Sequence, residues 1–137
     1  MPGQKPYEIL VASHERYIDG LFEITTNGFE NYVTYDVVKS AESLKRQALE
    51  KPYNLMFVKT NIVSKENSDY HSYDNVFNAI KNIREGKINS NTKMILMSGS
   101  EKHSARARKL GIEDIIVGPV DIGELKVIIS ESLEDNS

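Results

Sequence analysis

The chain of 137 residues contains no cysteine, no tryptophan and no long apolar run. Without cysteine it can form no disulfide, no thiol nucleophile and no thiolate metal site. No stretch approaches the roughly 20 apolar residues that span a bilayer. The first residues, MPGQKPYEIL, also lack the cationic and long apolar regions of a secretory signal. We therefore expect a cytoplasmic protein without a membrane partner.

An excess of basic residues is missing as well. Lys and Arg number 17 against 20 Asp and Glu, which gives a formal net charge of -3. Because binding to a nucleic-acid backbone normally needs a basic face, we expect no nucleic-acid partner. The length predicts one domain over 1–137. We place its core at about 7–133 and interpret 134–137 as a polar tail or the start of a linker.

Several motifs of catalysis and cofactor binding are absent from the sequence. No glycine-rich turn follows the first apolar run, and neither GxxxxGK nor GxSxG occurs. The segment SHERY is a poor phosphate loop for a flavin. We therefore expect no cofactor and no enzymatic activity.

What the sequence does contain is an alternation of short apolar runs and amphipathic segments. Continuous apolar runs are typical of strands that are buried on both faces of a parallel sheet. The five predicted strands are EILVA (8–12), YVTYDVV (32–38), NLMFV (54–58), KMILM (93–97) and DIIV (114–117).

Five helices are predicted to follow these strands. Glycines supply helix ends, and hydroxyl or carboxyl side chains supply helix starts. The predicted N-caps are Ser40, Ser72, Ser100 and Asp121. Five strand–helix units predict an open α/β sheet with helices on both faces, and ligands in such sheets bind beyond the carboxyl ends of the strands.

Two segments carry a resemblance to a known family. ARKLGIEDIIVGPVDIGEL (107–125) and ILVASHE (9–15) resemble the last and first strand regions of response-regulator receiver (CheY-like) domains. The resemblance covers roughly 7–133. It implies a flavodoxin-like, doubly wound (βα)5 fold with the parallel strand order 2-1-3-4-5.

At the positions of the family's metal and phosphorylation site the sequence differs. Receivers hold Mg²⁺ with an acidic pair after the first strand, where this chain has Ser13 and His14, with Glu15 beyond them. The acceptor aspartate at the end of the third strand is replaced by Lys59. Mg²⁺ prefers carboxylate and water oxygens, and lysine cannot form an acyl phosphate. These differences predict a pseudo-receiver with no metal and no catalytic residue.

Other family positions are partly retained. The hydroxyl residue after the fourth strand is kept as Ser98, and the proline after the fifth strand, cis in the family, is kept as Pro119. The lysine before that proline becomes Gly118, and the aromatic switch residue aligns with Ile115.

Individual residues allow two interpretations each. In one interpretation Lys59, together with Ser98, substitutes for the metal or binds an anion. In the other it reaches water and pairs loosely with an acid such as Glu15. His14 is either a metal ligand or pH sensor, or an ordinary loop residue. The segment from Ser98 to Ser100 either presents amides to an anion or caps a helix.

The sequence thus predicts a phosphorylation-independent signalling module of a bacterial two-component or related system, with regulatory or output proteins as partners. The resemblance implies a candidate interaction face that could pair two copies of the chain in a homodimer. It is made of Lys102, Arg106, Arg108, Lys109, Asp121, Glu124 and Lys126. Mixed charges suit reciprocal pairing across a two-fold axis, although such charges commonly only solvate a helix. The alternative is a sensor of a small molecule or anion that uses Lys59, His14 and Ser98 in the vacated pocket.

Overall fold

The structure, a computed structural model, describes residues 6–29, 33–65, 73–112 and 114–135. Within these residues, five strands alternate with five helices along the chain. The elements are β1 (Tyr7–Ala12), α1 (Arg16–Asn27), β2 (Val33–Val38), α2 (Ala41–Glu50), β3 (Leu55–Lys59), α3 (Tyr73–Glu85), β4 (Lys93–Ser98), α4 (Ser104–Lys109), β5 (Asp114–Val117) and α5 (Ile122–Asp135).

The strands form one parallel sheet in the order β2-β1-β3-β4-β5. The flavodoxin-like fold and its strand order are therefore confirmed. The order reverses between β1 and β3, which places the switch point of the sheet at their carboxyl ends. The register pairs Ala12 of β1 with Val58 of β3, and Lys59 with Met97 of β4.

Two apolar cores cover the two faces of the sheet. Alternate residues of the inner strands, such as Leu10 and Met56, pack with residues of α2, α3 and α4. Their neighbours Ile9 and Phe57 pack with residues of α1 and α5. This double coverage is the physical reason for the continuous apolar runs, since both faces of each inner strand are removed from water.

The helix starts follow the predicted caps in three cases. The Ser40 hydroxyl accepts from the Ser43 amide in a capping box, and the Asp121 carboxylate accepts from the Glu124 amide at 2.8 Å. The Ser100 hydroxyl accepts from the Lys102 amide. Ser72, the fourth predicted cap, lies outside the described residues.

One helix is shorter than predicted. The segment after Ser100 begins as a 3-10 turn over Glu101–His103, and only Ser104–Lys109 is α-helical. Such turns are frequent at helix ends because i to i+3 bonds tighten the first turn. At the other end Gly111 adopts a φ of 77°, a conformation that glycine takes without steric cost.

The chain turns sharply after β5. Gly118 has a φ of 90°, and its amide donates to the Ser98 carbonyl at 2.9 Å. No peptide bond of the described residues is cis, so the bond before Pro119 is trans. The turn before the proline is made with a positive φ at Gly118, a conformation that glycine takes without steric cost. Among the described helices, none has the length and apolar character needed to cross a membrane.

Candidate functional site

The carboxyl edge of the sheet brings four of the predicted site positions to one end of the molecule. Ser13 follows β1, Lys59 ends β3, Ser98 ends β4, and Gly118 follows β5. Because all five strands are parallel, their carboxyl ends share one edge, and the loops that follow them surround it. The positions predicted from separate parts of the sequence therefore lie at the same edge of the sheet.

An ion pair occupies this edge. The Lys59 ammonium donates to a Glu15 carboxylate oxygen at 2.7 Å. The two side chains are only 15% and 24% exposed, so the pair is partly withdrawn from water. The ammonium also lies 5.9 Å from the ring centre of Tyr17. Lys59 does pair with Glu15, as one interpretation predicted, but the contact is close and partly buried rather than loose.

The Glu15 carboxylate is held in its charged form. Burial alone would raise its pKa, but the hydrogen bond and positive charge of Lys59, with smaller contributions from Tyr17 and His14, bring the pKa below its ordinary value. Its negative charge is already compensated by the ammonium beside it. Because the two charges of the pair cancel, the pair attracts a third ionic group only weakly.

The two residues between β1 and Glu15 differ in exposure. Ser13 is buried, its amide donates to the Val38 carbonyl at 3.0 Å, and its hydroxyl accepts from the Glu15 amide at 3.1 Å. These bonds fix the loop that carries Glu15. His14 is exposed and makes an interaction of its own, and its charge contributes to the lowered pKa of Glu15.

The hydroxyl after β4 is used within its own loop. Ser98 is buried, donates to the Ser100 carbonyl at 2.8 Å and accepts from the Ser100 amide at 3.2 Å. With Ser100 in turn capping the 3-10 turn, the helix-cap interpretation of this segment is confirmed. The hydroxyl of Ser98 is therefore engaged with Ser100 rather than with Lys59.

Two solved structures that are similar to this chain are receiver domains. A CheY-like response regulator receiver domain from Methanospirillum hungatei JF-1 matches with a TM-score of 0.74 and 16% identity, over 96% of this chain and 96% of that chain. The receiver domain of a sensor histidine kinase from Pseudomonas aeruginosa PAO1, with a magnesium ion in its active site cleft, matches with a TM-score of 0.72 and 15% identity, over 95% of this chain and 99% of that chain.

The fold is that of a receiver domain. No family model matches the sequence, and no curated protein matches it either. At 15% and 16% identity, the likeness of the solved structures establishes the fold, and function has to be argued from the residues of this chain.

The magnesium ion of the Pseudomonas receiver raises the question of whether the same edge of this chain fits a metal. The one carboxylate on the loop after β1, Glu15, is bound to an ammonium, and its neighbours are a buried hydroxyl and an imidazole. Mg²⁺ requires oxygen ligands, usually with one or two carboxylates, and a cation beside it is repelled by Lys59. These side chains do not fit a magnesium site. Nor does any group of three or more His, Asp or Glu in the described part of the chain suit a metal ion.

The position of the receiver switch residue is apolar in this chain. Ile115 on β5 is partly buried and packs against the core formed with α2, α3 and α4. An isoleucine has no hydroxyl or ring to exchange hydrogen bonds with Ser98, so its packing is of the ordinary core type.

Residues of the predicted interaction face have different surroundings. Lys102 and Arg106 lie against aromatic rings of α3, and the Asp121 carboxylate caps α5. The other four residues of the face are exposed on α4 and α5: Arg108, Lys109, Glu124 and Lys126. None of them forms an ion pair with a described residue. Four charged side chains of the face thus remain open to a partner.

A cluster that the sequence did not reveal lies next to the ion pair. The rings of Tyr73 and His103 approach to 4.3 Å between centroids, and Phe77 lies 5.8 Å from the same imidazole. Tyr73 is the first residue of α3, and His103 lies in the 3-10 turn before α4. No local pattern could have paired them, because their contact depends on how α3 and the turn before α4 pack together.

Proposed function

We propose that the chain is a phosphorylation-independent receiver-like module that acts through protein–protein contacts in a bacterial two-component or related regulatory system. It carries no catalytic step of its own. The observation that supports this most strongly is the ion pair between Lys59 and Glu15 at the carboxyl edge of the sheet. Both residues lie where the resemblance puts the acceptor and the metal-binding loop.

In the ion pair, the ammonium of Lys59 neutralises the carboxylate of Glu15 without a bound metal ion. In phosphorylation chemistry a metal ion neutralises the phosphoryl oxygens and the acceptor carboxylate. Here an ammonium provides the positive charge and Glu15 the negative one, so the loop after β1 is tied to the end of β3 without a ligand. A two-state equilibrium moves only when a ligand favours one state. With no phosphoryl group to supply that preference, the module stays in one arrangement.

Such a module would transmit information through its surface. The exposed charges of Arg108 and Lys109 on α4, and of Glu124 and Lys126 on α5, provide both signs for electrostatic pairing. The partners we propose are regulatory or output proteins. A second copy of this chain is a further proposed partner. The cytoplasmic location remains a prediction. The polar tail at 134–137 also remains one, although α5 extends two residues into it, to Asp135.

The alternative function, an anion sensor built on the vacated position, has less support. Its three proposed contacts were Lys59, His14 and Ser98. The first is paired with Glu15, and the hydroxyl of Ser98 is bonded to Ser100. An anion at this point would have to break the ion pair and would then face the freed Glu15 carboxylate.

The proposal is tested by exposure to a small phosphodonor. The full chain is incubated with Mg²⁺ and acetyl phosphate and analysed by intact mass spectrometry, alongside the triple variant Ser13→Asp, His14→Asp and Lys59→Asp. We expect no phosphorylated species of the natural chain, because no carboxylate lies at the acceptor position. A phosphoryl adduct on the natural chain that hydroxylamine removes, as it removes an acyl phosphate from a carboxylate such as Glu15, would refute phosphorylation independence. The triple variant tests the alignment by regaining Mg²⁺ binding.

A further inference from the structure

A cleft separates the first turn of α3 from the turn that leads into α4. Its volume is about 430 Å³, within the roughly 300–1,000 Å³ of small-molecule sites. We call it the α3–α4 cleft. Its walls include Thr60, Asn61, Tyr73, Lys102, His103 and Arg106. It lies beside the carboxyl edge but contains neither Lys59 nor Glu15.

One wall of the α3–α4 cleft is aromatic. Tyr73 is 42% exposed. Its ring packs at 4.3 Å from the buried imidazole of His103, and Phe77 supports that imidazole from the core. Exposed aromatic rings backed by buried ones are rigid, and they favour contact with another planar group.

Two cations border this aromatic wall. The Lys102 ammonium lies 5.4 Å from the ring centre of Tyr73, and the Arg106 guanidinium lies 4.6 Å from that of Phe77. These contacts hold the charged ends near the cleft rather than free in solution. Lys102 forms no ion pair with any described residue.

Among the described residues that line the α3–α4 cleft, Asp74 is the one acid, and its carboxylate is bound to the Arg106 guanidinium. Its carboxylate binds Arg106 at 2.5 Å, and its side chain is 73% exposed. An exposed carboxylate held by one arginine is weakly bound, because water competes for both charges. It can therefore give way to a carboxylate that also contacts the lysine and the aromatic wall. The described lining residues thus carry two cations and one acid, an excess of one positive charge.

The imidazole of His103 lines the cleft without adding charge. Burial, and then the neighbouring charges of Lys102 and Arg106, lower the pKa of His103 below its ordinary value. At neutral pH the ring is uncharged, and a neutral imidazole carries one donor and one acceptor. The cleft thus combines a planar apolar wall, a neutral polar group and a cationic rim.

We propose that the α3–α4 cleft binds a small planar organic monoanion, an aromatic carboxylate, with its ring against Tyr73 and its carboxylate bound by Lys102 and Arg106 in place of Asp74. The proposal is independent of whether the chain is phosphorylated, since the ion pair of Lys59 takes no part in it. Binding here would bridge α3 and α4, and so reach the helix that carries part of the candidate interaction face.

The test is an amide NMR titration of the full chain with benzoate, with benzamide as an uncharged probe of the same shape. We expect saturable shifts at Asn61, Tyr73 and Lys102. Benzamide should bind at least about tenfold more weakly than benzoate, because it lacks the charge-assisted bonds. Absence of saturation, equal binding of the two probes, or shifts centred on Ser13 and Lys59 instead would overturn the proposal.

The test is completed by variants that should weaken benzoate binding and by one that should strengthen it. Arg106→Gln and Lys102→Gln should each weaken benzoate binding by about tenfold, the effect of one lost charge-assisted contact. Asp74→Asn should tighten it several-fold because the internal competitor is removed, and loss of the fold cannot imitate a gain. Lys59→Met should leave the affinity unchanged. Affinity unaltered by Asp74→Asn, or lost with Lys59→Met, would contradict the assignment of the site.

Discussion

The ammonium of Lys59 and the carboxylate of Glu15 meet at 2.7 Å and join the end of β3 to the residue that precedes α1. Both side chains are mostly shielded from water. The contact therefore crosses the switch point of the sheet, the place where receiver-like folds bind their ligands. Its strength and its pH dependence can both be measured.

A double-mutant cycle measures that contact. Lys59→Met and Glu15→Gln should each lower the free energy of unfolding by about 1 kcal/mol, because each leaves a partly buried charge without its partner. The double variant should lose less than the sum of the two. Urea unfolding of the four proteins gives the coupling. Strict additivity would show that the pair contributes nothing to stability.

Acid should remove this contribution in a predictable direction. The folded pKa of Glu15 is lowered, so the pair stabilises fully above the pKa of glutamate in the unfolded chain. The contribution declines as the pH falls toward the lower folded pKa and is absent below it. The stability difference between the natural chain and Glu15→Gln should therefore shrink on acidification. Urea midpoints measured from neutral to acidic pH test this, with Glu131→Gln on the exposed face of α5 as the control. A difference that grows toward low pH would contradict the assignment.

The buried side chain of Asn89, at the amino edge of the sheet, should be especially sensitive to substitution. Asn89 accepts from the Tyr53 amide at 3.0 Å and donates to the carbonyls of Ala48 and Lys51 at 2.6 and 2.8 Å. Asn89→Ala should cost about 3 kcal/mol because three backbone groups, in two buried hydrogen bonds and one partly buried one, lose their partner. Thermal and urea unfolding measure the loss.

The neighbouring asparagine provides the matched control for that substitution. Asn91 lies in the same connection and is exposed. Asn91→Ala should change the stability by less than about 0.5 kcal/mol, as is usual for surface positions. Similar losses for the two variants would mean that the hydrogen bonds of Asn89 do not fix this connection.

Self-association is the prediction for the charged face of α4 and α5. We expect sedimentation velocity to detect a dimer that weakens at high salt, because screening reduces contacts between exposed charges. Arg108→Glu with Lys109→Glu should weaken it further, whereas Lys45→Glu, on α2, should have no effect. A single monomeric species at the highest concentration would exclude the dimer.

The fold could be predicted from the sequence because its signals are local and repeated. Each inner strand is a continuous apolar run, and helix caps such as Ser40 and Asp121 act through hydrogen bonds within three residues. The strand order itself came from the resemblance to receivers. Local patterns define elements but do not decide which strands become neighbours.

The site was harder to predict because its contacts join distant segments. The sequence offered Lys59 and Glu15 as one possible pair among others, and the register of β1 and β3 decided it. The contact between Tyr73 and His103 gave no signal at all, since neither residue belongs to a motif. The 3-10 turn before α4 was interpreted as α-helix because both begin with the same cap.

The central claim is that the carboxyl edge holds a permanent ion pair in place of a phosphorylation switch. Its most direct test is an amide NMR titration of the full chain with Mg²⁺, followed by Mg²⁺ with beryllofluoride, a mimic of the phosphoryl group on aspartate. The account predicts no saturable shifts at Ser13, Glu15, Lys59 or Ser98. Saturable shifts at these residues would contradict it and would mean that the domain retains a metal-dependent phosphorylation switch.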